Sequence, residues 1–333
     1  MRTAEADLRA LADLATPMAV RVAATLRIAD QIADGKQTAA ELAKTVNADV
    51  DALDRVLRHL TTAGVLHRDA AGRFTLTEIG GALRQDHPDG NRARLDIEGA
   101  VGRADLAFFQ LLHSVRSGEP AFAAQFGRSF WEDLSASPAL AESFDALMGV
   151  DVALEARAID AAYDWSSLGH VVDVGGGNGS LLIALLTEHP GLRGTVVDLP
   201  AAAEAAREAF AATGLAERAE AVAGSFFDPL PAGAGGYLLS AIIHNWDDQN
   251  ARRILRRCAE AAGAEGRVFV VERTGPSGEV TNTARDLRML VYFAGKERGL
   301  AELAALAADS GLAVAAVHPA GLNSVVELTA HQS

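Results

Sequence analysis

A run of glycines and a downstream acid form the part of the sequence best suited to binding a nucleoside. Residues 170–181 read HVVDVGGGNGSL, so a β-branched run ends in an acid, glycines follow at once and a helical pattern begins after Gly179. A strand, a tight turn and a helix N-terminus in this order bring backbone N–H groups close to a ligand. Asp198 ends the next apolar run, 23 residues after Gly175. Nucleotide-binding folds place a ribose-binding acid about 20 residues beyond the glycine loop.

The details of this loop argue against a dinucleotide or a nucleoside triphosphate. The dinucleotide fingerprint needs a small third residue, but that position is Ser180 when counted from Gly175 and Leu182 when counted from Gly177. The sequence contains no G-x-x-x-x-G-K-S/T loop either. A glycine turn that only packs a helix on a sheet is the plainer interpretation, but three consecutive glycines with an acid at this spacing favour a cofactor. We predict a nucleoside without phosphates.

A histidine and two glutamates are the candidates for acid–base chemistry. His244 follows the apolar run at 237–243, and Glu272 ends the next strand pattern, RVFVVE. If those strands are neighbours, the carboxylate reaches the imidazole, fixes one tautomer and raises the basicity of the ring. The structural alternatives are a histidine packed at a strand end and an acid paired with Arg273. Glu297, in the segment GKERG, is a further acid candidate, for which a solvated charge run is the alternative.

The elements around these residues predict an α/β fold. From residue 170 onward apolar strand patterns alternate with helical ones, which indicates a doubly wound, mostly parallel, Rossmann-like sheet. A closing hairpin at 313–318 and 323–329 adds antiparallel pairing at one edge. Ligands lie at the carboxyl ends of the strands in such a sheet. The residues expected at those ends are Gly175, Asp198, Ser225, Phe226, His244 and Glu272.

The N-terminal hundred residues have a different, mainly helical pattern. Apolar side chains recur every three or four positions from 8 to 35, Thr38 and Glu41 form a capping box, and a hairpin pattern follows at 65–76. Helix, turn, helix and hairpin together indicate a winged helix. Residues 1–100 contain 13 basic and 15 acidic residues, however, and this balance is wrong for DNA binding. We therefore expect a structural or dimerising module.

Composition limits the class of protein further. The 333 residues are enough for about two domains, and the net charge of −14 argues against nucleic acid and anionic membrane surfaces as partners. Cys258 is the only cysteine, which excludes an internal disulfide and a cysteine-based zinc site. The sequence shows neither a signal-peptide pattern nor a run long enough to span a membrane. We expect a cytoplasmic protein.

These patterns divide the chain into three parts. We assign 1–100 to the winged-helix dimerisation module, 101–165 to a helical linker and substrate-binding region, and 166–333 to the α/β domain. The middle part is rich in aromatic residues. Several large apolar side chains could wall a flat pocket, although ordinary core packing is the alternative for each: Phe130, Trp131, Met148, Met289, Tyr292 and Phe293.

Six motifs, in this order and spacing, give the chain a family resemblance. They read VVDVGGGNG, VVDLP, GSFFDPLP, IIHNWDD, VVER and GKERG. They resemble those of the S-adenosylmethionine-dependent O-methyltransferases of the plant caffeate type and their bacterial relatives in natural-product (polyketide antibiotic) biosynthesis. The resemblance spans nearly the whole chain. It implies S-adenosylmethionine as the cofactor, S-adenosylhomocysteine as its product, and a homodimer whose N-terminal domains interlock.

Matched residue by residue, the motifs imply the cofactor-binding residues. Gly175 matches the glycine that contacts the cofactor, and Asp198 matches the acid that binds its ribose. Leu199 and Phe226 match residues that line the adenine, and Trp246 matches one that packs near it. We add Ser225, which follows the third predicted strand, and Ser240 to this set.

The same matching implies the catalytic residues and shows two departures. His244 matches the general base, and Glu272 and Glu297 match the acids that flank it. The family usually has an acid where this chain has Ser225, and an Asp directly after the base, where this chain has Asn245. Ser225 still accepts a hydrogen bond. Asn245 donates as well as accepts, and we place it in the substrate-binding set.

The resemblance implies methylation of a hydroxyl on an aromatic small molecule, with His244 removing the proton. A sulfonium carries an activated methyl group, so no metal is expected. Within the same fold, N- or C-methylation and hydroxylation by a relative that reuses the cofactor site are alternatives. A non-enzymatic winged-helix regulator is the alternative outside enzymes, and the acidic charge balance disfavours it.

Overall fold

The chain folds into two compact units. The computed structural model describes residues 4–275 and 277–331. The first unit falls within Met1–Leu106 and Trp131–Val150, and the second within Ala107–Phe130 and Asp151–Ser333. The aromatic-rich middle part that we placed at 101–165 is therefore divided between the two units.

The first unit is mainly helical and contains one two-stranded hairpin. Its elements begin with α1 (Ala4–Leu11), α2 (Ala15–Thr25), α3 (Ile28–Ala33), α4 (Ala39–Val46), α5 (Val50–Thr62), β1 (Leu66–Arg68), β2 (Phe74–Leu76), α6 (Glu78–Gly81), α7 (Asn91–Leu95) and α8 (Ala100–Asp105). Leucines spaced three or four residues apart on α5 are buried against Phe74 of β2. Thr38 and Glu41 form the expected capping box at the start of α4, and Asp49 caps α5. The expected order of helix, turn, helix and hairpin is present.

A seven-stranded sheet forms the centre of the second unit. Its strands are β3 (His170–Val174), β4 (Arg193–Asp198), β5 (Ala219–Ala223), β6 (Gly236–Ser240), β7 (Arg267–Arg273), β8 (Leu312–Ala320) and β9 (Asn323–Ala330). In the order β5-β4-β3-β6-β7-β9-β8, the first five strands run parallel. Strand β9 pairs antiparallel with both β7 and β8. The predicted mostly parallel sheet and its closing hairpin are confirmed.

Helices cover both faces of this sheet. The other α-helices of the described residues are α9 (Leu111–Ser117), α10 (Ala121–Phe126), α11 (Phe130–Ser135), α12 (Pro138–Ala162), α13 (Ser180–Glu188), α14 (Pro200–Ala212), α15 (Asp248–Ala262), α16 (Thr283–Phe293) and α17 (Leu300–Ala308). Of these, α11 and α12 each contain residues of both units. Successive strand residues point to opposite faces, so Val172 lies in a buried cluster with α15 and α17 and Val171 in another with α13 and α14. In the described part of the chain, no helix is both long and apolar enough to cross a membrane.

The order of the strands creates a crevice beside β3. From β5, at one edge, the chain returns to β6 on the other side of β3. Ligands of open α/β sheets bind at the carboxyl ends of the strands where the order reverses in this way. Here Gly175 follows the end of β3 and His244 follows the end of β6. The fold thus brings the two candidate motifs to one edge of the sheet.

Candidate active site

The glycine loop after β3 has a shape that side chains would obstruct. Gly175 has a φ angle of +77°, and a Cβ atom there would lie 2.6 Å from Cδ1 of Ile242. Its N–H donates to the carbonyl oxygen of Val197 at 2.8 Å. Gly177, with a φ angle of +57°, donates its N–H to Oδ2 of Asp198 at 2.8 Å. The loop therefore contacts the acid at the end of β4 directly. The two must be adjacent if they bind the same nucleoside.

Asp173 lies beneath this loop, and the sequence analysis gave it no role beyond ending a strand. Its residue is 2% exposed, and its Oδ2 has no hydrogen-bond partner among the described residues. A Cβ atom on Gly176 would lie 2.6 Å from that oxygen, so the carboxyl group touches the loop. Burial and then the nearby Asp198 raise the pKa of Asp173 to about 7. A buried acid with an unused oxygen fits a cationic group of a ligand.

Asp198 and Leu199 form the next part of the crevice. Burial raises the pKa of Asp198, while the N–H groups of Gly177 and Leu199 oppose that rise by donating to its carboxylate. The backbone carbonyl of Asp198 accepts the N–H of Gly224 at 2.9 Å, which brings the end of β5 alongside. Leu199 is 49% exposed. An exposed apolar side chain next to a candidate ribose-binding acid suits a purine base.

Two aromatic residues pack beside the glycine loop. The rings of Phe226 and Trp246 meet edge to face with centroids 5.7 Å apart, and Phe226 lies within 3.4 Å of where a Cβ atom on Gly175 would stand. Ser225 accepts a backbone N–H two residues further on, at 3.2 Å. Ser240 is the last residue of β6 and is partly buried. Of the predicted set, the structure thus joins Gly175 to Asp198 through the loop and to Phe226 and Trp246 through packing.

His244 is positioned by a break at the end of β6. The strand ends at Ser240, and Ala241 has a φ angle of +56°, a backbone conformation that residues other than glycine rarely adopt. A 3₁₀ turn, Ile243–Asn245, then carries His244, which is 6% exposed. Its Nδ1 lies 2.5 Å from Oε2 of Glu272, and its backbone N–H donates to Oε1 at 3.2 Å. The predicted histidine–glutamate pair is present across neighbouring strands.

Both carboxylate oxygens of Glu272 contact His244. Burial raises the pKa of Glu272, but the charge and hydrogen bonds of His244, together with the charge of Arg285, outweigh it and hold the pKa below its ordinary value. An ionised Glu272 accepts the proton on Nδ1 of His244. Nε2 is then the ring nitrogen with a lone pair. This tautomer leaves Nε2 as the basic nitrogen.

An arginine that the sequence analysis missed links His244 to Glu297. One guanidinium nitrogen of Arg285, Nη2, lies 3.2 Å from Nε2 and 3.5 Å from Nδ1 of His244. Its Nε lies 3.0 Å from Oε1 of Glu297. Burial raises the pKa of Glu297, and Arg285 opposes that rise. Nothing in the motifs marks Arg285, because it lies in the first turn of α16 rather than at a strand end.

The segment GKERG holds the base through main-chain atoms. Arg298 is buried and donates to the carbonyl oxygens of Ile243, at 2.9 Å, and Trp246, at 2.7 Å. The N–H of Lys296 donates to the carbonyl oxygen of His244 at 2.9 Å. These contacts fix the turn that carries His244 without using its side chain. Arg298 is a second positioning residue that the sequence analysis did not name.

Replacing Gly295 by alanine is expected to displace the base. A Cβ atom there would lie 2.2 Å from the carbonyl oxygen of His244, so the loop or the 3₁₀ turn must move. Because a misplacement of about 1 Å costs up to about 10²-fold in rate, we expect kcat/KM to fall by about that factor. Steady-state kinetics measure the effect. Gly191→Ala, where a Cβ atom meets nothing within 4 Å, is the matched control, and equal rates in both variants would contradict this account.

Part of the expected aromatic pocket lies in the second unit. Phe130 stacks on Tyr292 with centroids 6.2 Å apart and meets Phe293 edge to face at 5.0 Å. Met289, one turn earlier on α16, is buried. Three of the predicted pocket residues therefore belong to α16 or its end, and Phe130 packs on two of them.

The other expected substrate-binding residues lie elsewhere. Trp131 and Met148 fall in the first unit, where Trp131 meets Phe144 edge to face at 5.9 Å. Asn245 is next to the base, and its side-chain amide donates to the carbonyl oxygen of Ala241 at 3.1 Å. Asn245 thus helps to close the strained turn that precedes His244.

Comparison with known proteins identifies the family. A model of the O-methyltransferase domain matches residues 108–313, and a model of the O-methyltransferase dimerisation domain matches residues 8–86. The chain belongs to the O-methyltransferase family. Its fold, with a mostly parallel sheet and an N-terminal dimerisation domain, is the one that the sequence motifs predicted.

This O-methyltransferase is similar to bacterial biosynthetic enzymes over nearly its whole length. It is 59% identical over 329 residues to the 2,7-dihydroxy-5-methyl-1-naphthoate 7-O-methyltransferase of Streptomyces carzinostaticus, with 99% of each chain covered. It is 46% identical to the aclacinomycin 10-hydroxylase RdmB of Streptomyces purpurascens, covering 97% of this chain and 90% of that relative.

A solved structure supports the same relationship. The O-methyltransferase NcsB1 from neocarzinostatin biosynthesis, in complex with S-adenosylmethionine and 2-hydroxy-5-methyl naphthoic acid, superposes with a TM-score of 0.94 at 59% identity. The match covers 97% of this chain and 98% of that chain. The predicted dependence of the O-methyltransferase on S-adenosylmethionine is confirmed by these comparisons.

The described residues fit this cofactor. The glycine loop packs closely on Ile242 and Phe226 at Gly175 but has open space beside Gly177, and the unused Oδ2 of Asp173 lies beneath the loop. An ammonium group such as that of the cofactor's amino-acid part matches this buried oxygen in charge. Among the described residues, no group of three histidine, cysteine, aspartate or glutamate side chains is arranged to hold a metal ion.

Proposed function

We propose that this O-methyltransferase methylates a hydroxyl group of a bicyclic aromatic acid of the hydroxynaphthoate class, in bacterial natural-product biosynthesis. The observation that carries the proposal is the His244–Glu272 pair, with an Nδ1–Oε2 distance of 2.5 Å, at the sheet edge that also holds the glycine loop. The substrate class is supported by the naphthoate 7-O-methyltransferase that is 59% identical.

In the mechanism we propose, His244 acts as the general base. Its Nε2 takes the proton of the acceptor hydroxyl as the oxygen forms its bond to carbon, while Glu272 keeps the proton on Nδ1 and stabilises the ring charge that results. When bound, S-adenosylmethionine supplies a sulfonium-activated methyl group, and its transfer to oxygen leaves S-adenosylhomocysteine. A phenol has a pKa of about 10, so a positioned base is needed near neutral pH. Such a base contributes about 10²- to 10⁴-fold to the rate.

The cofactor-binding residues have separate tasks in this proposal. Asp198 would bind the ribose hydroxyls of the cofactor, and the glycine loop at Gly175 and the carboxylate of Asp173 would hold its amino-acid part, with Asp173 matching the ammonium group in charge. Residues on the adenine side and along the strand ends complete the site: Leu199, Ser225, Phe226, Ser240 and Trp246.

We propose that the acceptor lies against aromatic and sulfur-containing side chains of the second unit. Phe130, Met289 and Phe293 supply flat apolar surface there, whereas the roles of Trp131 and Met148 stay predictions from the sequence. Asn245 orients the acceptor beside the base.

We also propose a functional division of the chain into residues 1–100, 101–165 and 166–333, in which the first part forms the homodimer. The bacterial biosynthetic relatives and a single buried cysteine support a cytoplasmic location.

The product of a single reaction tests this function. We expect the purified protein to convert a dihydroxynaphthoic acid, in the presence of S-adenosylmethionine, into a product that is heavier by one CH₂. One molecule of S-adenosylhomocysteine should be released for each molecule of this product. Mass spectrometry and the release of S-adenosylhomocysteine measure both. Methyl transfer to carbon or nitrogen is distinguished by NMR of the product. If no phenolic acceptor of this class is methylated, the proposal is wrong.

Hydroxylation is the second candidate function, because aclacinomycin 10-hydroxylase is 46% identical to this chain. A product heavier by one oxygen, formed without S-adenosylhomocysteine, would favour it. The His244–Glu272 pair favours methyl transfer, since it supplies a base for a hydroxyl proton. A DNA-binding regulator stays the least favoured candidate on the charge balance of residues 1–100.

A further inference from the structure

Three ionisable side chains surround the candidate base. Glu272 extends from β7 to the Nδ1 edge of His244, at 2.5 Å. Arg285, from the first turn of α16, approaches the same ring, and Glu297, from the segment after α16, pairs with Arg285. Motif matching implied that Glu297 flanks the base itself. In the structure a guanidinium group stands between them.

The position of Arg285 follows from two distances. Its Nη2 lies 3.2 Å from Nε2 and 3.5 Å from Nδ1 of His244. A donor aligned with the lone pair of one ring nitrogen would be much further from the other nitrogen. Distances so nearly equal place Nη2 over the face of the ring. Nη2 therefore does not lie along the in-plane lone pair of Nε2, and its positive charge lies against the ring.

Arg285 is held in this position from both ends. Its backbone N–H donates to the side chain of Asn282, the N-cap of α16, at 2.9 Å. Its Nε lies 3.0 Å from Oε1 of Glu297, and Glu297 is 4% exposed. The poorly solvated surroundings of Glu297 strengthen the Coulomb attraction between the two side chains. The N–H of Glu297 is in turn held by Asp286 at 2.9 Å.

We infer that Arg285 is a positioning residue that opposes the positive charge of the His244 ring, so that the base is neutral when the acceptor binds. The inference rests on the proposed function of His244. Glu272 favours the charged ring and Arg285 disfavours it, because like charges repel across a few ångströms of poorly solvated space. Glu297 weakens the repulsion between Arg285 and the charged ring, because its carboxylate neutralises part of the guanidinium charge.

The other charged groups of the site leave this balance in place. Arg298 uses its guanidinium on the carbonyl oxygens of Ile243 and Trp246 and on the carboxylate of Asp248. Asp286 lies on the far side of Glu297 and contacts its backbone. Glu272, Arg285 and Glu297 are thus the charged groups that act most directly on the ring. The same balance also helps the proton to leave His244 after each turnover.

The pH dependence of kcat/KM tests the inference. In Arg285→Met, which removes the charge but keeps the length of the side chain, the charged ring is no longer opposed. We expect the acid limb of the profile to move to higher pH, so that activity near pH 6 falls several-fold more than activity near pH 8. Arg285→Lys, which keeps the charge, is expected to restore the limb towards its original position. Arg55→Met, at an exposed ion pair with Asp51, is the control.

Glu297→Gln should move the acid limb in the opposite direction, because it leaves the charge of Arg285 unopposed. A purely structural role for Arg285 would lower kcat at every pH and leave the limb unmoved, and that result would overturn the inference. If Arg285→Met does not fold, the Lys and Gln variants decide between the same two outcomes.

A direct measurement separates this inference from the proposed function. NMR titration of the His244 ring in the protein bound to S-adenosylhomocysteine needs no turnover, and its signal is assigned by loss in His244→Gln. We expect the midpoint to be higher in Arg285→Met than in the unmodified protein. A midpoint that does not move overturns the inference even if methylation is observed. Absence of methylation with a moved midpoint overturns only the proposed function.

Discussion

Replacing His244 by alanine is expected to lower kcat by about 10²- to 10⁴-fold, the usual effect of losing a general base. The affinity for S-adenosylhomocysteine should stay within a few-fold, because the turn that carries His244 is fixed through its carbonyl oxygens by Lys296 and Arg298. Steady-state turnover and calorimetric binding measure the two quantities separately. A loss of turnover with binding retained assigns His244 to the chemical step.

The control for this prediction is the same substitution at an exposed site. His67, on β1, is exposed and lies in the first unit, so His67→Ala should leave both quantities unchanged. Glu272→Gln should slow turnover as well, since an amide cannot stabilise a charged ring as a carboxylate does. Unchanged turnover in His244→Ala would remove the residue from the mechanism.

The second large effect is expected at Asp173, where stability depends on pH. Burial and Asp198 raise its pKa from 3.8 to about 7 in the folded protein. Since the folded pKa lies above the unfolded one, the neutral acid favours folding at low pH. That contribution is lost as the pH rises from about 4 through 7, by on the order of 4 kcal/mol in total. Asp173→Asn has no proton to lose, so its stability should be flatter across this range.

Unfolding of the ligand-free protein in urea at pH 5 and pH 8 measures this difference. Relative to the unmodified protein, Asp173→Asn should be markedly more stable at pH 8 than at pH 5. Its affinity for S-adenosylhomocysteine should fall by about tenfold or more, because a charge-assisted hydrogen bond contributes about 1.5–3 kcal/mol. Asp51→Asn, at an exposed site, should change neither quantity. Parallel stability curves for Asp173→Asn and the unmodified protein would contradict this account.

The sequence was sufficient to predict the residues at the strand ends. Parallel strands end at one edge of a sheet, so once the alternation of strands and helices was recognised, Asp198, His244 and Glu272 had to come near one another. The pairing of Glu272 with His244 was predicted on the condition that their strands are neighbours, and the adjacent positions of β6 and β7 meet that condition. The hairpin at the C-terminus and the capping box at Thr38 followed from local patterns in the same way.

Other parts of the site depend on contacts between distant segments of the chain, and the periodicity of the sequence does not predict these contacts. Arg285 reaches the base from a helix whose pattern indicates only that it packs on its neighbours, and its placement depends on the path of the chain after β7. The unused oxygen of Asp173 becomes visible only when every donor around it is known. The assignment of Trp131 and Met148 to the first unit depends on contacts between segments far apart in the sequence.

The turn that holds His244 is fixed through its main chain, and this has a consequence for how new chemistry can evolve in this fold. The turn at 243–246 is fixed by donors to its carbonyl oxygens, from Lys296 and Arg298, and by the left-handed Ala241 before it. None of these contacts requires a particular side chain at position 244. Mutation can therefore exchange the reactive group while the cofactor cradle and the turn persist.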